Sequence, residues 1–386
     1  MTRTEKLLTE LIALPSVNPA FAGQDADGHG GHKYGERNVA EFLAAIASRA
    51  GLEIEFQPVL PGRPNFIARL LPRGKIRRTV LLAPHLDTVN AASPQFTPRR
   101  KNGRLYGRGA CDTKGSVAAM LTALCELAQT KSRPTETEIV FAGLIDEEQA
   151  QAGSRALAGK GRKKTAPFKA DLAIVGEPTR LQVITAHKGS LWLEIETHGV
   201  AAHGATPQFG KNAVHKMAHI VEYLQTDYAA RLRRRKHKLL GHATINVGVI
   251  CGGVQPNIVP DHCIISIDRR TLPGETDAGV IREIKQLLRS RDLPAAISDK
   301  KLAPALPLET NPNLPLVRQF MRMAGQSKPV GVHFFCDAAI LSAGGIPSVV
   351  FGPGNVAQAH TADEWISLAE LERGKDLLLK FLRSLP

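Results

Sequence analysis

The sequence predicts an α/β protein of two domains: a larger one built on a mostly parallel sheet, interrupted by a smaller split-βαβ, ferredoxin-like domain. Three observations predict it. The 386 residues exceed the usual size of one hydrophobic core. Between residues 79 and 178, short and nearly continuous apolar runs alternate with helical stretches, the pattern of parallel strands covered on both faces. Near residue 186 this gives way to strict apolar–polar alternation, as in a sheet with one covered face.

The chain opens with a helical pattern over residues 1–14, which acidic residues interrupt and which therefore does not read as a signal peptide. Strands are expected at 79–83, 138–145 and 171–175, with a helix at 116–129 between the first two. In 191–197, Leu191, Leu193 and Ile195 point one way while Glu194 and Glu196 point the other. A helix at 212–231 follows, then strands at 242–250 and 263–268. A second helix has Val280, Ile281, Ile284, Leu287 and Leu288 on one face, and a short strand at 295–298 completes the order βαββαβ. Four prolines in 302–315 mark a linker. Helix and strand alternation then resumes and closes with a strand at 347–351 and a helix at 368–382. The larger domain is thus expected to comprise 1–185 and 303–386, with 186–302 inserted.

Five cysteines without C-x-x-C spacing argue against both a disulfide framework and a thiolate zinc site, so a reducing cytoplasm is the expected home. No run approaches the ~18 apolar residues of a membrane span. The net charge of +14, with the basic runs 231–238 and 160–164, raises the question of nucleic acid. Neither run carries interleaved aromatics for base stacking, so both read as solvated surface and no nucleic-acid partner is expected.

Five segments carry the chemistry: HLDTV at 85–89, GRGACDTKGS at 107–116, DEE at 146–148, GEPT at 176–179 and AHTADEW at 359–365. Three of them end strands, the edge at which open α/β sheets collect ligands. His85 and Asp87, at i and i+2, project to one side; one can bind a metal while the other fixes the ring. Alone, the pair also reads as a turn aspartate beside a hydrogen-bonded histidine. Asp112 follows a glycine-rich turn and precedes a helix; its two oxygens could serve two ions, or it could simply cap the helix. Adjacent Glu147 and Glu148 repel each other unless cations or water are near, so Glu148 is read as a ligand and Glu147 as a general base, with a plain acidic loop as the alternative. Glu177 and His360 could each be ordinary loop residues. His215 and His219 lack an HExxH glutamate and read as surface or packing residues, as do His29 and His32 in their glycine-rich stretch.

Taken together, these segments resemble the metallopeptidase and deacylase superfamily that includes acetylornithine deacetylase, succinyl-diaminopimelate desuccinylase, aminoacylase and carboxypeptidase G. The resemblance runs from about residue 5 to the C-terminus, with the motifs in the same order. It implies a metallopeptidase-type catalytic domain with the insert as lid and dimerisation domain. It also implies two divalent metal ions, zinc preferred with cobalt or manganese accepted. His85, Asp112, Glu148, Glu177 and His360 would be the ligands, with Asp112 shared, Glu147 as general base and Asp87 orienting His85. From the insert, VAAHGATPQFGKNA implies His203 as an oxyanion-stabilising residue reaching across a homodimer interface. GGVQPNIVPDHC and DRRTLP imply Asn257 and Arg269 at the substrate, with Arg270 competing because a one-residue register slip exchanges faces.

Gly204, the stretch Gln149-Ala-Gln-Ala152 and Phe334-Phe-Cys336 depart from the family's usual residues and bear on substrate fit. The expected function is metal-dependent hydrolysis of the amide of a small N-acyl amino acid, in the manner of acetylornithine deacetylase or succinyl-diaminopimelate desuccinylase. The alternatives are a metallocarboxypeptidase or dipeptidase acting on short peptides and, from another class, a basic RNA- or partner-binding protein on an inactive scaffold.

Overall fold

The computed structural model describes residues 1–21, 34–161, 166–301 and 303–386. His29, His32 and part of the basic run 160–164 lie outside them. The chain divides into two compact units: Met1–Thr185 with Thr310–Val330 and Cys336–Pro386, and Ala186–Glu309 with Gly331–Phe335.

In the larger unit the sheet order is Glu53–Leu60, Arg63–Leu70, Thr137–Gly143, Arg78–Pro84, Leu172–Gly176, Ser348–Val350. The last four strands run parallel to one another. Thr137–Gly143 and Leu172–Gly176 are buried along their whole length, which explains why their sequences read as continuous apolar runs rather than alternations. An antiparallel hairpin, Glu53–Leu60 with Arg63–Leu70, extends the sheet beyond Thr137–Gly143. Helices Arg3–Ile12 and Leu368–Arg383 pack against Lys114–Ala128, and the core continues through Phe320, which meets the rings of Phe351 and Phe381 at 4.9 and 4.7 Å. Side-chain oxygens of Thr2 and Ser367 accept from the backbone of Glu5 and Glu370, capping the first and last of these helices.

A small sheet has the greater consequence for function. Trp365–Ser367 pairs with Arg104–Tyr106, which pairs with Arg99–Lys101. This pairing sets the loop that follows Tyr106 beside the loop that precedes Trp365, bringing the GRGACD and AHTADE segments together across about 250 residues.

The smaller unit has a four-stranded antiparallel sheet, in the order Thr244–Gly252, His262–Thr271, Gly189–His198, Ala296–Asp299. In chain order that is 2-3-1-4, the arrangement of a ferredoxin-like βαββαβ module. Ala213–Tyr223 and Asp277–Arg289 are its helices, and their apolar residues join Leu191, Leu193, Ile195, Cys263, Ile265 and Ile267 in one core. The helix expected at 212–231 passes through a π-helical turn at Leu224–Tyr228 before ending at Arg234. His215 and His219 are exposed, as is most of the run 231–238. None of the five cysteines is paired, and among the described residues no helix is long and apolar enough to cross a membrane.

Candidate metal centre

Three neighbouring parallel strands deliver acids and a histidine from their carboxyl ends. Arg78–Pro84 leads directly into His85, Thr137–Gly143 into Asp146, Glu147 and Glu148, and Leu172–Gly176 into Glu177. The first two stay paired past their formal ends, since the Leu86 amide donates to the Leu144 carbonyl at 2.8 Å. These groups therefore converge because the sheet is in register.

Asp112 reaches them from the loop after Tyr106. Gly109 there has φ +82°, and a Cβ on Gly115 would lie 2.6 Å from the Ala110 carbonyl oxygen, so the tight turn requires glycine at both positions. The Asp112–Thr113 peptide is cis. Glu364 holds this loop: its carboxylate accepts from the backbone N–H groups of Gly109, Cys111 and Asp112 at 2.9, 2.8 and 2.9 Å, and from Arg108 at 2.7 Å. The buried Lys114 ammonium ties the far side of the loop to the Leu11 and Leu14 carbonyls at 2.9 and 2.8 Å.

Two groups of ligand atoms result, each within a 4.8 Å span: His85, Asp112 and Glu177, and Asp112, Glu148 and His360. Asp112 belongs to both. Its Oδ1 lies 3.1 Å from His85 Nε2 and its Oδ2 lies 3.4 Å from His360 Nε2. Glu177 approaches His85 at 3.9 Å, and Glu148 approaches His360 at 3.2 Å.

Asp87 does more than face the imidazole. His85 Nδ1 is 3.0 Å from the Asp87 carbonyl oxygen and 3.5 Å from its carboxylate. The carboxylate oxygens accept from the Glu147 and Glu148 amides at 3.0 and 3.1 Å and from the Asn18 side chain at 2.8 Å. Asp87 thus locks the DEE turn to the HxD turn. Asn18 also donates to Asp146, which Arg63 contacts while pairing with the buried Glu36, and no local pattern in the chain marks this support.

Burial, with neighbouring acids adding to it, holds Glu147 and Glu177 well above the usual carboxylate range and raises Glu148. Burial also pushes nearby Asp337 up to about 7, even though the Ser154 hydroxyl donates to it. Burial would raise Asp112 as well, but the hydrogen bonds from His360 and His85 outweigh it and hold that carboxyl low. Hydrogen bonds to Asp112 and Glu148 lift His360 to about 10. Four carboxyl groups crowded around two imidazoles in a secluded place cannot all ionise without added positive charge. This oxygen-rich donor set with two imidazole nitrogens fits two divalent metal ions sharing Asp112.

The remaining expected residues belong to the smaller unit. His203 and Asn257 are exposed and adjacent, joined by the Gly204 amide donating to the Asn257 carbonyl at 2.7 Å. Arg269 lies in the core of the smaller unit. Its side chain is 0% exposed, and its guanidinium is engaged by Glu275, Tyr228 and the Arg270 carbonyl. The strand turns residues 263, 265, 267 and 269 toward the helices, so Arg270 lies on the open face, paired with Asp268 at 2.9 Å.

Residues 81–384 match the peptidase family M20/M25/M40. Similar solved structures include the aminopeptidase PepT from Bacillus cereus, at 21% identity and TM-score 0.77, covering 99% of this chain and 97% of that one. The M20 family metallo-carboxypeptidase Sso-CP2 from Sulfolobus solfataricus matches at 18% identity and TM-score 0.75, covering 99% of each chain. The YXEP protein of Bacillus subtilis, described as a dinuclear metal-binding peptidase from the M20 family, matches at 14% and 0.68, covering 99% and 97%. At such identities the likeness is one of fold. Because the family match spans most of the sequence and takes in every candidate ligand, the chain belongs to the peptidase family M20/M25/M40.

Proposed function

We propose that this metal-dependent hydrolase cleaves the amide bond of a small N-acyl amino acid. The observation that carries the proposal is the placing of Asp112 between two ligand groups, with Glu147 alongside. His85, Asp112 and Glu177 would hold one ion and Asp112, Glu148 and His360 the other. Zinc is the preferred metal, because imidazole and carboxylate suit it, with cobalt or manganese as substitutes. Such a pair, when bound, supplies Lewis acidity and a water acidified toward neutrality.

Glu147 takes the proton from the attacking water and returns it to the departing amine nitrogen. Asp87 keeps Glu147 in place through its backbone amide, so the base need not reorganise as the reaction proceeds. His203 donates to the developing oxyanion from a partner protomer, which makes the working form a homodimer. Asn257 and Arg270 hold the substrate's carboxylate, with the planar guanidinium offering two parallel donors. The residues 186–302 act as the lid.

A second reading, a metallocarboxypeptidase or dipeptidase, is favoured by the names of the similar structures, which are peptidases. The two readings are separated by assaying metal-loaded protein against N-acetyl and N-succinyl amino acids and against dipeptides. Preference for free-amine dipeptides supports the second. Activity that survives complete chelation, or a Glu147→Ala protein that binds metal and turns over at full rate, refutes both.

A further inference from the structure

The open face of the smaller unit's sheet holds a group that the hydrolytic reading leaves unused. His198 and His262 are direct cross-strand partners on antiparallel strands. Their rings lie 5.4 Å apart and are inclined by 32°. Glu196, two residues before His198 and therefore on the same face, turns one oxygen toward both. Its Oε2 lies 3.8 Å from His198 Nε2 and 3.7 Å from His262 Nε2. The neighbouring acid Glu194 is paired with Lys300, and the Lys216 ammonium is bonded to the His198 carbonyl at 2.8 Å. The side chains of His198, His262 and Glu196 are 66%, 50% and 33% exposed, so an ion from solvent can reach them.

We infer that His198, His262 and Glu196 form a separate binding site for a divalent transition-metal ion of the zinc class. Two imidazoles and one carboxylate are a borderline donor set that suits zinc, copper and nickel; magnesium and calcium require more oxygens. Metal–ligand bonds of about 2.0–2.1 Å in a tetrahedron set donor atoms about 3.3 Å apart. Each imidazole–carboxylate separation thus has to close by roughly half an ångström, and the two imidazole nitrogens, more than 4.8 Å apart, by about 1.5 Å, which the exposed rings achieve by χ rotations. The sheet does the rest of the organising, because directly opposed residues hold their Cβ atoms about 4.5–5.5 Å apart. Water completes the coordination. An ion bound here links two strands that are far apart in sequence and stabilises the folded unit by mass action.

The test uses full-length protein, replenished with zinc and equilibrated by dialysis against a series of free zinc concentrations. Wild type is compared with the double variant H198N/H262N. The expected result is one zinc fewer per chain in the double variant, with an unchanged rate of hydrolysis, and a site weakened by about tenfold or more in Glu196→Gln. Copper(II) added to the zinc-loaded protein displaces the ion at this site, following the order of affinities. Its paramagnetic resonance spectrum then contains a component with nitrogen couplings from two imidazoles on one ion in wild type, which the double variant lacks. Equal zinc content in wild type and a folded double variant overturns the inference. Should the double variant fail to fold, as judged by circular dichroism, the comparison rests on Glu196→Gln, and unchanged zinc affinity there overturns it equally.

Discussion

Replacing Glu364 with glutamine keeps the side chain's shape and removes its charge. In the native protein Oε1 accepts from the Cys111 and Asp112 amides, and Oε2 from Gly109 and Arg108. An amide offers one accepting end; its NH2 end must face two donors whichever way it is turned. Hydrogen bonds to a charged group contribute about 1.5–3 kcal/mol each, and removing one partner of a buried ion pair costs about 3–5 kcal/mol. The two penalties describe overlapping contacts, and Arg108 is only 4% exposed, so the expected loss is about 3–5 kcal/mol. At about 2 °C per kcal/mol for a unit of this size, the melting temperature falls by roughly 6–10 °C. The Asp112 backbone loses its anchor as well, so affinity for divalent metal drops by about 10–100-fold. Scanning calorimetry of the metal-loaded protein and competition against a chelating dye measure the two effects. Unaltered melting together with unaltered metal affinity would refute the role of this carboxylate as the clamp of the loop.

Glu147→Gln should retain both ions by elemental analysis while lowering kcat by about 10²–10⁴-fold, since an amide cannot carry the proton; a rate near wild type contradicts this. Arg270→Ala should lower kcat/KM for carboxylate-bearing substrates by about 10–100-fold with little change in melting. Arg269→Ala should instead destabilise the smaller unit by about 3–5 kcal/mol, because Glu275 loses its buried partner and keeps only the more exposed Arg235 at 3.5 Å; the opposite pattern would return Arg269 to the substrate. Burial pushes the His187 imidazole down to about 4, whereas an unfolded histidine titrates near ~6.5. The unfolded chain therefore takes up a proton first as pH falls. Stability should decline from about pH 6.5 to about pH 4, by up to about 3 kcal/mol. Denaturant unfolding of His187→Asn across that range should show a flatter profile, and an identical slope would exclude the assignment.

The parallel strands and the groups at their ends were legible because an apolar run that stops abruptly at acids leaves few other readings. The hairpin Glu53–Leu60 and Arg63–Leu70 was not, since its outer strand buries no residue and its short alternation, residues 53–57, is cut off by Pro58. The helix Arg37–Arg49 lacked a visible start, because Glu36 spends its carboxylate on Arg63 rather than on a cap. Which of Arg269 and Arg270 faces inward could have been read by counting: Cys263, Ile265 and Ile267 already assign the odd positions inward. An inward arginine becomes intelligible only once Glu275 and Tyr228 are seen around it. Asn18, Glu36 and Glu364 stabilise the site through contacts across long stretches of sequence, and single-chain patterns carry no trace of such pairings.

The grip of Glu364 on the glycine-rich turn also imposes an order on biosynthesis. A ribosome delivers the N-terminal portion first, and Asp112 would leave the exit tunnel roughly 250 residues ahead of the side chain that steadies its backbone. Until then the amides of Gly109, Cys111 and Asp112 have only solvent to satisfy them. The emerging polypeptide would therefore hold metal loosely, and secure loading would wait until Glu364 has emerged.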